Sequence, residues 1–254
     1  SKTLNAAAIM ATLMGDYESG QALYEKSLAI NRELGNQRGV AVLLGNLGTS
    51  ALGQREFERA RTLLEESLAL RREIGDTGGV GYMLRCLGDL ACSVGDYPRA
   101  QALLEESLTI FREPGRSTVE LASVLGSQSM VARLQGDLAN ARSLRTENLV
   151  LLQGRSIPDG VAWALEELAL IEQDEQRCER AASLFGAAER IREEISSPLV
   201  PLKRQGYERC VREVRAGLGE AAFTTAWEKG RHMTGEQAVA YALEAGEPGP
   251  GTDA

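Results

Sequence analysis

The chain has 254 residues, of which 43% are apolar and 25% are charged, as in ordinary soluble globular proteins. Its 28 basic and 36 acidic side chains give a formal net charge of -8, which argues against a nucleic-acid-binding surface because phosphate contacts depend on clustered lysine and arginine. No apolar run is long enough to span a membrane and no secretory leader opens the chain, so we expect a cytoplasmic protein.

From its first residues the chain repeats itself about every 40 residues. The motif LLEESL occupies residues 63–68 and 103–108, and a related motif, LYEKSL, occupies residues 23–28. Weaker copies continue the period to about residue 195. Such a period is the signature of a repeat architecture, in which each unit buries its apolar face against its neighbours.

Each period indicates a helix, a turn and a second helix. In the second copy, apolar and small residues recur at helical spacing: Phe57, Ala60, Leu64 and Ser67. Pairs such as Gly15-Asp16 and Gly95-Asp96 mark the turns, because glycine can end one helix in the left-handed conformation and aspartate can cap the next. Nothing alternates with a period of two residues, so we predict an all-α solenoid without strands.

Small residues are predicted where the two helices of a pair approach each other. Gly48 and Gly88 on the first helices are expected to face Ala60 and Ala100 on the second helices. Large residues of the same helices are expected to fill the remaining space: Leu44 and Leu64, and Leu84 and Leu104.

The later copies depart from this pattern. Pro114 is expected to end its helix early, because proline cannot continue the hydrogen-bond ladder. In the fourth copy, Gln128 and Ser129 stand where Leu-Gly is expected, and Arg145 stands where a large apolar residue is expected. We therefore predict local looseness in the fourth copy, or a surface there that contacts something else.

The period is lost after residue 197, but helical patterns continue. We predict a helix from Pro201 to about Gly217, a second from Glu220 to Glu228, and a third that begins at a capping box of Thr234 and Gln237. The last residues are too rich in glycine and proline to order. The predicted organisation is five helical hairpins over residues 1–197, capping helices over 198–245 and a disordered tail over 246–254.

Residues at the helix contacts resemble the tetratricopeptide repeat (TPR) family. The resemblance rests on Leu-Gly pairs, aromatic residues and alanines at matching places in two copies: Leu47-Gly48 and Leu87-Gly88, Phe57 and Tyr97, Ala60 and Ala100. The 40-residue period resembles the long-helix subclass found in kinesin light chains and in signalling scaffolds. The resemblance implies a right-handed superhelix in which the first helix of each pair lines a concave groove, and it implies that the groove binds a peptide or a partner domain.

The register of that family implies a set of groove-facing residues on the first helices. They are Asn5, Ile9, Asn46, Thr49, Tyr82, Arg85, Asp89, Met130, Arg133, Trp163, Glu166 and Leu170. Asn46 matches an asparagine that holds the backbone of a bound peptide in related repeats, and the alternative is that it bonds a neighbouring helix.

Three groove positions have alternative interpretations. Arg85 and Arg133 could each bind a ligand carboxylate, but Asp89 lies four residues after Arg85 and could pair with it on the same helix. Trp163 is either an aromatic anchor for a partner or part of the core.

The C-terminal part is similar to the ends of bacterial STAND-type signalling ATPases, including LuxR-like and AfsR-like transcription regulators. The similar segments are residues 181–189, 197–199, 207–209, 219–223, 227–231 and 236–243. No Walker motif occurs in the chain, so the resemblance places any NTPase domain outside it. The expected partner is a protein or peptide, and the alternative is self-association or autoinhibitory packing against that NTPase domain.

We find no constellation that indicates catalysis, a cofactor or a metal site. Cys86, Cys92, Cys178 and Cys210 lack metal-ligand spacing and are expected to be buried as small hydrophobic residues. The one histidine, His232, is expected to cap a helix or face solvent. The acid pairs at 65–66 and 105–106 recur with the period, which favours solvated helix faces over acid–base chemistry. We therefore predict a binding protein and not an enzyme.

Overall fold

The computed structural model describes residues 2–199 and 201–244, and every regular element in these ranges is an α-helix. The thirteen helices of the described residues are α1 Lys2–Leu13, α2 Tyr17–Glu33, α3 Gln37–Gly53, α4 Phe57–Glu73, α5 Thr77–Ser93, α6 Tyr97–Phe111, α7 Thr118–Leu134, α8 Leu138–Gly154, α9 Pro158–Asp174, α10 Cys178–Glu194, α11 Pro201–Leu218, α12 Glu220–Arg231 and α13 Gly235–Leu243. The all-α fold class predicted from the repeat is confirmed. None of these described helices combines the length and apolar character that a membrane crossing requires.

The turns between helices follow one recurring design. Helices α3, α4 and α5 have 17 residues each, so two helices and two short turns make one period. At one such turn, Gly95 adopts a φ of +83°, and the Asp96 carboxylate accepts a hydrogen bond of 3.2 Å from the Arg99 amide. The predicted roles are confirmed at this turn: glycine ends one helix, and aspartate caps the next.

The second copy makes the same turn without glycine. Arg55 takes the left-handed conformation with a φ of +63°, and Glu56 precedes α4 without capping it by a side-chain hydrogen bond. A residue with a Cβ is strained in this conformation. The Arg55 amide donates to the Leu52 carbonyl at 3.0 Å and the Glu56 amide to the Ala51 carbonyl at 2.9 Å, and these bonds hold the turn.

The chain forms two compact units, residues 1–120 and 121–254. The first unit contains α1–α6, and its core is built from residues such as Tyr24, Leu44, Leu64 and Met83. The core of the second unit includes Leu165, Phe185 and Phe223, so helices beyond the repeats share one core with α9 and α10.

Close approach of paired helices depends on glycine, as expected, and the nearest side chains are the large residues of the facing helix. A Cβ on Gly48 would lie 2.7 Å from Leu64 Cγ, and one on Gly88 would lie 2.8 Å from Leu104 Cγ. The nearest side chains are therefore the leucines, while the Ala100 carbonyl oxygen would lie 3.5 Å from the Cβ at Gly88, in line with the predicted approach. Glycine at these positions leaves room for the largest core residues of the facing helix.

Buried serines fix the second helix of a pair against the first turns of its partner. Ser67 Oγ donates a hydrogen bond of 2.7 Å to the Ala41 carbonyl, and Ser107 Oγ donates one of 2.8 Å to the Gly81 carbonyl. Both serines are fully buried, and each pair spans 26 residues of sequence. The serine of the repeated EESL motif is thus a structural hydrogen-bond donor.

Replacing Ser67 by alanine should lower the free energy of unfolding by about 1–2 kcal/mol, because the bond to Ala41 is lost in a dry environment. The measurement is urea denaturation followed by circular dichroism. Ser143→Ala is the matched control, since Ser143 is exposed on α8 and its loss should change stability by less than about 0.5 kcal/mol. Equal effects of the two substitutions would contradict a structural role for the buried serine.

Exposed ion pairs join the second helices of consecutive copies in the first unit, and we call this set the ion-pair ladder. Its members are Arg32–Glu66 at 3.4 Å, Glu25–Arg59 at 3.5 Å, Arg72–Glu106 at 3.0 Å and Glu65–Arg99 at 3.1 Å. A single exposed pair contributes only about 0–1 kcal/mol. The acid pairs of the sequence motif therefore do face solvent, as predicted, and bond the neighbouring copies.

The fourth copy is well packed, which corrects the expectation of local looseness. Ser129 is 1% exposed and donates a hydrogen bond of 2.7 Å to the Ala141 carbonyl, so it replaces the expected glycine with a polar contact. Arg145 is 4% exposed, and its guanidinium donates to the Gly126 carbonyl at 2.8 Å. The expected early end before Pro114 is confirmed, because α6 stops at Phe111 after 15 residues.

Beyond the repeats, the predicted helices are present with one difference in length. Helix α11 runs from Pro201 to Leu218, and α12 extends to Arg231, three residues past the predicted end. Thr234 and Gln237 form the predicted capping box of α13. The segment 246–254, predicted as a disordered tail, lies outside the described residues.

Helices α10 and α12 approach each other more closely than a side chain would allow. A Cβ on Gly230 would lie 1.9 Å from the Ser183 carbonyl oxygen, and one on Gly186 would lie 2.3 Å from the Trp227 carbonyl oxygen. In each case the nearest atom belongs to the backbone of the facing helix. The two glycines therefore permit a backbone-to-backbone contact.

A buried carboxylate organises the second unit. Glu172 on α9 is fully buried and accepts hydrogen bonds from Arg142 at 2.7 Å, Arg177 at 2.6 Å and Arg180 at 2.7 Å. Burial opposes ionisation of this carboxyl group, but the three guanidinium groups outweigh it and hold the pKa of Glu172 below its usual value. Because Arg180 also donates to the Tyr241 carbonyl at 2.5 Å, the cluster connects α8, α9 and α10 to α13.

Candidate functional site

The first helices of the first unit lie side by side, with α1 next to α3 and α3 next to α5. Seven of the predicted groove residues are on these three helices. We call six of them, all but the exposed Ile9, the first-helix face: Asn5, Asn46, Thr49, Tyr82, Arg85 and Asp89. All six are half-buried, so they are held by neighbours and still reach the surface.

Asn46 contacts a neighbouring helix, as one of its two interpretations proposed. Its Nδ2 donates a hydrogen bond of 2.9 Å to Asn5 Oδ1, which joins α3 to α1. Thr49 Oγ1 donates to the Asn46 carbonyl at 2.9 Å within α3. An amide has two donors and an acceptor, so the bond to Asn5 leaves capacity for a further partner.

Tyr82, Arg85 and Asp89 form one polar cluster on α5. Arg85 Nη1 donates to Asp89 Oδ2 at 2.8 Å, which is the ion pair that the four-residue spacing suggested. The Arg85 guanidinium also lies 5.0 Å from the centre of the Tyr82 ring, within the range of a cation–π contact.

Sequence reasoning missed Glu120, which completes this cluster from α7. Its Oε2 lies 3.9 Å from Arg85 Nε, and both atoms are buried without a hydrogen bond among the described residues. Nothing in the repeat pattern marks Glu120, because no acid occurs at the matching place in the other copies. The cluster carries two acids and one base, so its net charge is negative.

Cys86, beside this cluster, is a structural residue. Burial raises the pKa of its thiol to about 11, although Arg85 opposes the shift. The thiol is therefore neutral near pH 7 and unsuited to act as a nucleophile. Cys86 and Cys92 are buried as expected, whereas Cys178 and Cys210 are only half-buried.

In the second unit, the charged groove candidates are held in ion pairs. Arg133 Nη1 donates to Asp174 at 2.9 Å, and Glu166 accepts hydrogen bonds from Arg192 Nε at 2.6 Å and Nη2 at 3.1 Å. These pairs engage both side chains, while Arg133 Nε is buried without a hydrogen bond among the described residues.

The three apolar candidates of the second unit differ in exposure. Trp163 is 41% exposed, so it is not a core residue and presents much of its indole ring to solvent. Met130 is half-buried, as is Leu170, while Ile9 in the first unit is 38% exposed.

The described residues contain no group of three or more His, Cys, Asp or Glu side chains arranged to hold a metal ion. His232 is exposed, and its Nδ1 lies 2.6 Å from the Glu228 carbonyl, so it lies at the C-terminal end of α12 as predicted.

Comparison with known proteins supports the repeat interpretation. Residues 1–73 match the family model described as Tetratricopeptide repeat. No curated protein matches the chain. Beyond residue 73, the chain is similar to solved structures.

Two solved structures share the fold. BtubC (BKLC) from P. vanneervenii is 18% identical with a TM-score of 0.62, covering 78% of this chain and 82% of that one. The second is a crystal structure of nearly identical TPR-like repeats from a kinesin light chain candidate of Podospora anserina. Its sequence is 15% identical to this chain, its TM-score is 0.55, and the match covers 78% of this chain and 96% of that one. These two likenesses show a repeat α-solenoid fold, and the family match identifies tetratricopeptide repeats in residues 1–73.

Proposed function

We propose that the chain is a protein–protein interaction module that binds a peptide segment or a partner domain on its first helices. Tetratricopeptide repeats generally mediate such interactions. The observation that supports the proposal best is the first-helix face, where polar and aromatic side chains are held by neighbours yet remain partly exposed. Side chains that are ordered before binding lose little conformational entropy when a partner arrives.

Within this face, we assign the central role to Asn46, Tyr82 and Arg85. Tyrosine and arginine are the residue types that most often dominate binding energy, and the Asn46 amide can bond a peptide backbone. Asp89 holds the Arg85 side chain in place, and Thr49 donates to the Asn46 carbonyl. In the second unit we assign the corresponding role to Trp163, with Met130 as apolar contact and with Arg133 and Glu166 as residues held by ion pairs.

The test is affinity selection of a displayed peptide library on the immobilised chain, followed by titration of the selected peptides. We expect Tyr82→Ala and Arg85→Ala each to weaken binding at least about tenfold, which corresponds to about 1.4 kcal/mol. The matched control is Arg99→Ala, because Arg99 is an exposed arginine of α6 outside the first-helix face. Circular dichroism confirms that each variant is folded.

Selected peptides that bind all variants equally well would contradict the assignment of the first-helix face. If only Trp163→Ala weakens binding, the site lies in the second unit. Loss of binding in Arg99→Ala alone would place the site on the second helices.

We further propose a cytoplasmic setting in a bacterial signalling or transcriptional regulator, on the strength of the C-terminal resemblance in segments 181–189 and 236–243. The alternative function in that setting is autoinhibitory packing on an NTPase domain. In a natural protein that joins this segment to such a domain, deletion of the segment should then raise basal NTPase activity. Unchanged activity would remove the autoinhibitory alternative.

A further inference from the structure

Helix α11 lies on the surface of the second core and is not surrounded by it. Among the side chains described for residues 204–218, Val214 is the buried one. Four more are half-buried and the rest are exposed; the half-buried ones are Tyr207, Cys210, Val211 and Leu218. In α10, by contrast, nine of the 17 residues are buried. A single apolar side of α11 therefore holds this helix to the rest of the unit.

That side of α11 borders the predicted groove residues of the second unit. Tyr207 packs edge-on against Phe185 of α10, with the ring centres 5.4 Å apart, and burial and the neighbouring Glu166 carboxylate raise its pKa. Burial also raises the pKa of the Cys210 thiol, and the charge of Arg133 on α7 opposes that shift. Glu166 and Arg133 are both groove candidates, so α11 lies beside the surface that the sequence assigned to a partner.

The first turns of α11 stand away from α10. An open cleft of about 530 Å³ lies there, lined by Arg192 of α10 on one side and by Tyr207 and Glu208 of α11 on the other. Two glycines inside α11, Gly206 and Gly217, each lower its helix propensity by about 1 kcal/mol relative to alanine. Incomplete packing and low propensity both reduce the free energy that is needed to detach α11.

Helices α12 and α13 are joined to the second core by contacts of their own. The backbone of α12 meets that of α10 at Gly230 and Ser183. Arg180 of α10 donates a hydrogen bond of 2.5 Å to the Tyr241 carbonyl of α13. Detachment of α11 alone would leave these contacts in place.

We propose that the surface of α9 and α10 beneath α11 binds a basic amphipathic helix of a partner protein, and that α11 occupies this surface in the free chain. We call it the helix-binding surface; it includes Glu166, Phe185 and Gln173, whose Nε2 donates to Glu213 Oε2 of α11 at 3.1 Å. A partner helix must displace α11, so its apparent affinity is reduced by the small fraction of chains in which α11 is detached. The proposal does not rest on the first-helix face, and failure of peptide binding there would leave it standing.

The charge of α11 indicates the chemistry of this partner. Residues 201–218 contain five basic and two acidic side chains, a net charge of +3, whereas the whole chain carries -8 and the remainder therefore -11. A basic helix from another protein is attracted to such an acidic chain at long range. Its apolar side can then take the places of Tyr207 and Val214, in the manner of an amphipathic helix in a groove.

Native-state amide hydrogen exchange of the whole chain measures how readily α11 detaches. We expect the amides of residues 207–214 to exchange at least about a hundredfold faster than the buried amides of α9 and α10, because a detached helix of this length is marginal in water. Equal protection of the three helices would overturn the proposal, since α11 would then leave only when the whole unit unfolds.

A fluorescently labelled peptide of residues 201–218 serves as the partner helix in a titration. Val214→Asp in the whole chain should raise the affinity for this peptide at least about tenfold, because burial of the new carboxylate disfavours the attached state of α11. Ala216→Asp is the matched control, since it makes the same change in charge at an exposed position of α11 and should leave the affinity unchanged. A peptide that itself carries Val214→Asp should bind neither chain.

Three results would contradict the proposal. Equal affinities of the Val214→Asp and Ala216→Asp chains would show that α11 does not compete for the surface. Loss of the circular dichroism of the whole second unit in Val214→Asp would show that α11 is an integral part of the core. A peptide whose four arginines are replaced by glutamine should bind at least about tenfold more weakly, and unchanged binding would overturn the basic character of the partner.

Discussion

Alanine in place of Gly230 should destabilise the second unit by about 2–3 kcal/mol, even though alanine is the better helix former by about 1 kcal/mol. The new Cβ would lie 1.9 Å from the Ser183 carbonyl oxygen and 2.9 Å from the Ala187 amide nitrogen. Both are backbone atoms of α10, so α12 must move as a whole to relieve the overlap. Chemical denaturation measures the loss of stability, and amide hydrogen exchange locates it in α10 and α12.

The same substitution at Gly206 is the matched control. Gly206 lies inside α11, and a Cβ there would meet nothing within 4 Å. Gly206→Ala should therefore stabilise the protein by up to about 1 kcal/mol, since alanine restricts the unfolded chain. If Gly230→Ala lowers the free energy of unfolding and Gly206→Ala raises it, the contact between α10 and α12 decides the outcome. A neutral result for Gly230→Ala would show that α12 is free to shift.

Replacing Glu172 by glutamine should destabilise the second unit by about 3–5 kcal/mol, because it removes the negative charge shared by Arg142, Arg177 and Arg180. The matched control is Glu66→Gln, whose carboxylate is exposed and pairs with Arg32 alone at 3.4 Å. That control should cost less than about 1 kcal/mol. Similar losses in the two variants would contradict the central role of the buried carboxylate.

The contribution of Glu172 should depend on pH in one direction. Its pKa is lower in the folded protein than the ordinary value of 4.5, so the unfolded chain binds its proton first as the pH falls. The stabilisation is fully present above about pH 4.5 and is lost as the pH falls through the lowered pKa. The stability difference between the wild type and Glu172→Gln should therefore shrink in acid, as measured by denaturation at pH 7 and below pH 4.

Local features of the fold could be predicted from the sequence. The cap at Asp96, the capping box at Thr234 and Gln237, and the early end of α6 before Pro114 each depend on residues within one or two helical turns. Interactions of that range leave a pattern in consecutive residues. The repeat added the long-range part, because one helix pair that recurs must pack on its own copies.

Contacts between unlike segments could not be predicted in this way. Gly186 and Gly230 resemble ordinary helix glycines, and their contact depends on how α12 packs after the period is lost. Glu172 is followed by polar residues, so nothing local marks it as buried. Arg145 was wrongly expected to loosen the fourth copy, because its hydrogen bond to the Gly126 carbonyl forms only in the folded chain.

In the candidate site, too, contacts within one helix could be predicted and contacts between distant segments could not. The pair of Arg85 and Asp89 follows from four-residue spacing on one helix, whereas Glu166 and Arg192 meet across 26 residues and were not paired in advance. The repeat period itself could have predicted two further contacts between neighbouring first helices. Asn5–Asn46 and Arg133–Asp174 are both separated by 41 residues, close to the period, as expected for neighbouring first helices.

The ion-pair ladder has a consequence for how such a chain can change in evolution. The middle copy offers a base and an acid to the copy before it and the same to the copy after it, where Glu65 and Arg72 pair with Arg99 and Glu106. Duplicating or deleting one whole copy would leave every acid and base of the ladder with a partner of opposite charge. The ion-pair ladder therefore favours insertions that are a whole number of periods long, but it does not limit how many periods there are. The number of copies must then be limited by the residues at the two ends of the array.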